Sequence, residues 1–118
     1  MAKKFKTKDS GKRVTFKTGM NRDISVDKLR YDLVLPLGVR DHMFRRTAEL
    51  MSRGAKKYGE RNWEKAKTEE ELARFMESAI RHFHQWYDGE TDEDHAAAVF
   101  FNIQGAEMVK GRLKRKTR

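Results

Sequence analysis

The sequence predicts an all-α fold, a helical bundle with three main helices per chain, completed by self-association and preceded by an extended N-terminal arm. Three observations carry this. Apolar residues recur at helical spacing in three separate stretches. A Thr-x-x-Glu capping box and a well-placed glycine punctuate them. The first 27 residues show no such stripe.

Taken in order, residues 1–27 mix small, polar and basic types with Gly11 and Gly19, which predicts an extended arm. Val14-Thr15-Phe16 can form a short strand, but a lone strand is marginal, so it would have to lie on the body or on a neighbouring subunit. Pro36 and Gly38 punctuate the chain before Val39, Met43, Phe44, Thr47, Leu50, Met51 and Ala55, whose spacing predicts a first helix over about residues 37–57. A polar loop through Gly59, Asn62 and Trp63 follows. Thr68, three residues before Glu71, opens the second helix with a capping box. In that helix Leu72, Phe75, Met76, Ala79, Ile80, Phe83, Trp86 and Tyr87 share one face, while Arg74, Glu77, Arg81, His84 and Asp88 fall towards the other. Gly89 stops it. After the acidic loop Glu90-Thr91-Asp92-Glu93-Asp94, a third helix is predicted from about His95 to Lys110, with residues 96–101 apolar on every side. A helix apolar all round is covered on more than one face, and three helices of this length leave much of it wet, so a homo-oligomer is expected. The organisation is therefore an arm (1–27), a helical domain (28–110) and a basic tail (111–118).

The chain of 118 residues has no cysteine, which excludes disulfides, thiolate metal sites and a cysteine nucleophile. It shows neither a membrane-length apolar run nor the apolar core of a signal peptide, so a soluble, cytoplasmic protein is expected. The net charge of +9 sits at the ends. Residues 1–30 carry ten basic and three acidic residues and residues 110–118 six basic and none, leaving 31–109 acidic at −4. An acidic body with basic ends is not the footprint of a domain that docks a duplex on its folded face. The ends can still touch phosphates or a partner, or simply stay solvated.

Two groups are candidates for a metal: Glu77, Arg81, His82 and His84 on the second helix, and Asp92, Glu93, Asp94 and His95 where the third begins. Hard cations take carboxylate oxygens plus water and substrate phosphate, and facing helices can supply them. The same residues also suit a solvated face and an acidic helix N-terminus. His95 and Asn102, seven residues apart, share a stripe on the buried helix, so they bond neighbouring groups or face a polar cavity. Glu107 reads as structural. From Gly54 to Trp63, Lys56 and Lys57 suit a polyphosphate and Tyr58 or Trp63 can stack on a base, although a capped helix end with Trp63 as an apolar plug accounts for the same residues. The chain contains no P-loop, nucleophile elbow or His-Glu-x-x-His helix.

Together these segments resemble the dATP/dGTP diphosphohydrolases of phages, the MazZ-like branch of the MazG-type all-α nucleoside triphosphate pyrophosphohydrolases. The resemblance runs through Asp9-Ser10-Gly11-Lys12-Arg13 and Gly19, Lys28 to Leu33, Gly54 to Lys65, Glu77 to His82, and Glu93 to Asn102. It implies a MazG-type bundle and cleavage of a purine deoxynucleoside triphosphate between the α- and β-phosphates, with Mg²⁺ or Mn²⁺, shaping the nucleotide pool for phage DNA synthesis. Under it Glu77, Asp94 and His95 are catalytic, and these three with Glu49 hold metal. Lys56, Lys57, Tyr58, Asn62, Trp63, Arg81, His82 and Asn102 bind substrate. The broader family pattern has Glu-Glu-x-x-Glu on one helix and Glu-x-x-Asp on the next. Here Glu77 is followed by Arg81 and His82, and His95 stands where the Asp would fall if Asn102 is the anchor. A set with fewer carboxylates binds fewer or different metals. Two other classes stay open: a nucleic-acid-binding accessory protein working through the basic ends, and a non-catalytic nucleotide-binding relative.

Overall fold

The computed structural model describes residues 4–116, with Lys116 as backbone only; the remaining residues of the predicted arm and basic tail lie outside the described range. The chain divides into two compact units, one ending at Val34 and one beginning at Leu35.

In the first unit, β1 (Arg13–Thr15) and β2 (Asn21–Asp23) form an antiparallel hairpin with Val14 opposite Arg22. The predicted short strand thus finds a pairing partner within the arm itself, eight residues further along. Gly19, in the left-handed region at φ 91°, makes that turn possible, and its N–H donates to the Phe16 carbonyl at 2.8 Å. Beside the hairpin, Arg13 grips Asp9 through two nitrogens at 2.7 and 2.9 Å. A 3₁₀ turn, Tyr31–Val34, ends the unit.

The second unit is helical: α1 (Met43–Tyr58), α2 (Glu69–Tyr87) and α3 (His95–Lys116). The all-α prediction therefore holds, with a two-stranded hairpin as the only sheet among the described residues. Helix α1 begins later than residue 37. Gly38 is left-handed at φ 74°, Leu37 and Val39 stay exposed, and the cap is His42, whose Nδ1 accepts from the Arg45 N–H at 3.1 Å. An imidazole nitrogen there satisfies one of the orphan donors of the first turn. Helix α2 starts as predicted. Thr68 Oγ1 accepts from the Glu71 N–H at 3.2 Å and Glu71 Oε1 from the Thr68 N–H at 3.1 Å. It stops at Gly89, φ 81°, where the Glu90 N–H reaches back to the Gln85 carbonyl at 3.0 Å.

Helix α3 continues beyond Lys110 to Lys116, so the basic stretch carries on the helix, where cations favour the C-terminal end of the macrodipole. Arg112 ties α3 to the loop before α2, donating to the Ala66 carbonyl at 2.6 Å and to the Glu64 carbonyl. The buried apolar residues are small, Ala66, Ala97, Ala98, Ala106 and Val109. Small residues let α2 and α3 approach closely, and a Cβ on Gly105 would stand 2.4 Å from the Phe75 ring. The wide apolar face of α2 is only partly covered: Phe75 is half-buried, whereas Ile80 is 60% exposed. Phe83, Trp86 and Tyr87 are exposed too, as are Phe100 and Ile103 on α3. No helix among the described residues is long and apolar enough to cross a membrane.

Candidate functional site

The end of α1, the loop after it and the facing sides of α2 and α3 enclose a cavity of about 430 Å³. That lies within the roughly 300–1,000 Å³ typical of small-molecule sites. Its walls are mainly apolar and aromatic: Leu50, Met51, Trp63, Phe75 and Phe101. Phe101 is the hub, meeting Trp63 edge-on at 5.6 Å and Phe75 edge-on at 6.0 Å between ring centroids. Tyr58, Asn62, Ser78 and Asn102 add polar groups, and Arg61, Arg74 and Glu71 stand in the lining. The loop wall turns on Arg61, whose left-handed backbone at φ 57° is uncommon for a residue with a side chain. The sequence-predicted Tyr58, Asn62, Trp63 and Asn102 are thus brought to one cavity. Lys57 lies over the Tyr58 ring, 5.0 Å from its centroid, and Lys56 is exposed on the same helix end.

A second group of residues gathers where α2 turns into α3. His95, 2% exposed, is held at both ring nitrogens, with Nε2 2.7 Å from Asp92 Oδ1 and Nδ1 2.9 Å from His82 Nδ1. Two Nδ1 atoms at that distance need one proton between them. With Nε2–H donated to the Asp92 carboxylate, a neutral His95 presents a bare Nδ1, and His82 is the donor. The bond from His95 holds the Asp92 carboxyl below the usual carboxylate range. Burial pushes His82 below the ordinary histidine value, and the neighbouring Arg81 charge adds to this. Asp94 caps α3, accepting from the Ala97 N–H at 3.1 Å, while Arg46 of α1 holds both its oxygens, and this guanidinium lowers its pKa.

Among the described residues, one set of three potential metal ligands converges: Glu90, Asp92 and His95, with donor atoms all within 4.8 Å of one another. An ion there would need the other His95 tautomer, with Nδ1–H donated to His82 and Nε2 bare; two carboxylates and that imidazole are then a fitting donor set for a divalent ion, and the nitrogen favours Mn²⁺ over Mg²⁺, which prefers oxygen. Of the four sequence-predicted metal residues, the structure brings His95 into this set. Glu77 lies instead 3.7 Å from Arg74, Glu49 lies 3.2 Å from Arg45, and Asp94 is engaged by Arg46. Glu90 escaped sequence reasoning. Its signal was its position directly after the stop glycine, where the backward bond to Gln85 folds it over the end of α2. Glu107, read as structural, pairs with Lys110 at 3.3 Å.

A family model described as dATP/dGTP diphosphohydrolase, N-terminal, matches residues 18–113, which takes in part of the arm and all of α1 and α2. No curated protein and no solved structure matches the chain. The match spans most of the sequence, and the chain belongs to the dATP/dGTP diphosphohydrolase N-terminal family, whose name is that of hydrolases acting on nucleotides.

Proposed function

We propose that this protein hydrolyses purine deoxynucleoside triphosphates, dGTP and dATP, to the monophosphate and pyrophosphate. The observation that carries the proposal is the aromatic cavity, which has the size and the flat apolar walls for a purine and includes Tyr58, over whose ring lies Lys57, a cation suited to a polyphosphate. Tyr58 and Trp63 offer ring faces to the base, and Asn62 and Asn102 offer polar contacts. Lys56, Lys57 and Arg81 supply positive charge for the triphosphate, because phosphoryl transfer depends mainly on positioning and electrostatics. His95, backed by Asp92, holds the His82 ring, and His82 is a further proposed substrate-binding residue.

Glu77, Asp94, His95 and Glu49 are the proposed ligands from the family resemblance, with Glu90 and Asp92 added from the convergence at His95. Glu77, Asp94 and His95 are also the proposed catalytic residues. A bound Mg²⁺ or Mn²⁺ would supply Lewis acidity at the α-phosphoryl group and lower the pKa of water. In the overall reaction water oxygen bonds to Pα, the bond from Pα to the bridging oxygen breaks, and pyrophosphate leaves. The proposed setting is the cytoplasm of a phage-infected host, where the reaction shapes the pool for viral DNA. We further propose a homo-oligomer, dimer or tetramer, formed over Met76, Ile80, Phe83 and Ile103, which line one shallow surface, because contiguous exposed apolar residues mark association surfaces.

The test is product release from each of the eight common ribo- and deoxynucleoside triphosphates with Mg²⁺ or Mn²⁺, following monophosphate, pyrophosphate and inorganic phosphate separately. Monophosphate plus pyrophosphate from dATP or dGTP is expected. No turnover with any nucleotide or metal overturns the enzymatic reading.

A further inference from the structure

We infer that Asn102 reads the base in the cavity, its Oδ1 accepting a hydrogen bond from a donor on the purine's Watson–Crick edge, the N6 amine of adenine or N1–H and the N2 amine of guanine. The inference rests on the nucleotide reading of the cavity given above. Its starting point is the orientation of one amide. Asn102 Nδ2 donates to the Ala98 carbonyl, one turn earlier on α3, at 2.8 Å. A backbone carbonyl only accepts, so the NH₂ end of the side chain must face it and the oxygen end must face away.

No hydrogen bond to Asn102 Oδ1 exists among the described residues. Nor is it one of the fully enclosed acceptors left without a partner, which are Thr47 Oγ1 and Gln85 Oε1. It therefore keeps accessible surface although its residue is only 8% exposed, and the residue lines the cavity. A side chain more than nine-tenths buried, pinned by its own amine and lining the same cavity as Trp63, Phe75 and Phe101, is a preorganised polar contact in an apolar wall. Rotation to present the amine instead would leave the Ala98 carbonyl without this bond, so Asn102 reads as an acceptor only.

An acceptor in an apolar wall discriminates by what it leaves unpaired. A base with a donor satisfies it; a base without one removes its water and returns nothing. One acceptor does not separate adenine from guanine, since each carries a donor on that edge. It does separate both from unsubstituted purine, which carries none.

The experiment uses the full chain with dATP, dGTP and the triphosphate of unsubstituted purine deoxyriboside. Equilibrium binding is measured in EDTA by calorimetry, and turnover is followed in parallel with metal. The wild-type protein is expected to bind the unsubstituted purine about tenfold to a hundredfold more weakly than the other two. Asn102→Leu should bring all three to one level. Asn102→Ser guards against a folding failure, because a serine hydroxyl can keep the bond to the preceding turn, as Ser52 Oγ does to the Ala48 carbonyl at 2.9 Å, and it too should lose the preference. Equal binding by the wild type, a preference retained in either folded variant, or no binding of any of the three overturns the inference. Preferential binding without hydrolysis supports it while refuting the hydrolytic reading, and hydrolysis without preference refutes the inference alone.

Discussion

Arg46 and Asp94, on α1 and at the start of α3, are joined by two hydrogen bonds, Nε to Oδ2 at 2.9 Å and Nη2 to Oδ1 at 2.6 Å. The same Oδ1 caps α3, so one carboxylate closes a helix and fastens a second helix to it. A bidentate charged pair that is partly buried and also satisfies a backbone donor counts for more than an exposed ion pair. Asp94→Ala should cost about 2 kcal/mol, combining a lost cap with lost charged hydrogen bonds. Arg46→Ala should cost less, because the cap survives. Urea denaturation of both variants measures this, and equal losses would contradict the double role.

The α2 cap gives a pH prediction. Backbone donation from Lys67, followed by the Thr68 side chain, holds the Glu71 carboxyl below its ordinary value. A folded pKa below the unfolded one contributes stability that is present above the unfolded value, near 4.5, and lost as pH falls through the depressed folded value. Glu71→Gln should therefore flatten the acid limb of the stability curve below about pH 4.5 and leave its slope near neutrality unchanged. Thermal unfolding across pH 3–7 reads the difference.

Gly105 is a packing prediction. An alanine methyl there would meet three ring atoms of Phe75 at 2.4–2.7 Å, and that ring is itself packed edge-on against Phe101. Gly105→Ala should destabilise by about 1–3 kcal/mol despite the better helix propensity of alanine. Because Phe75 and Phe101 line the cavity, nucleotide affinity should fall with it. A variant as stable as the wild type would show that α2 and α3 stand further apart than described.

Metal preference follows from the donor set at the α2–α3 turn. With an imidazole beside two carboxylates, Mn²⁺ should raise the melting temperature more than Mg²⁺ at equal concentration. Chelation should reverse the shift. Glu90→Gln combined with Asp92→Asn should abolish it, and an undiminished shift in that double variant would place the ion elsewhere.

How far the sequence carries can be followed through particular residues. Thr68, Glu71 and Gly89 bracket α2 correctly because cap, apolar stripe and stop signal are all local. The start of α1 was missed because histidine is an unusual cap and Val39 kept the apolar spacing while belonging to the turn before it. The grip of Arg46 on Asp94, 48 residues apart, is a tertiary fact that no local pattern encodes, whereas the hairpin through Gly19 and the convergence of Glu90 on His95 rest on turn geometry within a few residues. His95 and Asn102 stood out as polar residues on a buried stripe, and each does what a buried polar group must: one bonds its neighbours, the other faces a cavity.

The central claim is cleavage between the α- and β-phosphates, and hydrolysis of dGTP in ¹⁸O-labelled water with Mn²⁺, followed by mass spectrometry of the products, tests it most directly. The account predicts one labelled oxygen in dGMP and unlabelled pyrophosphate. Label in pyrophosphate, or release of inorganic phosphate with dGDP, would contradict it.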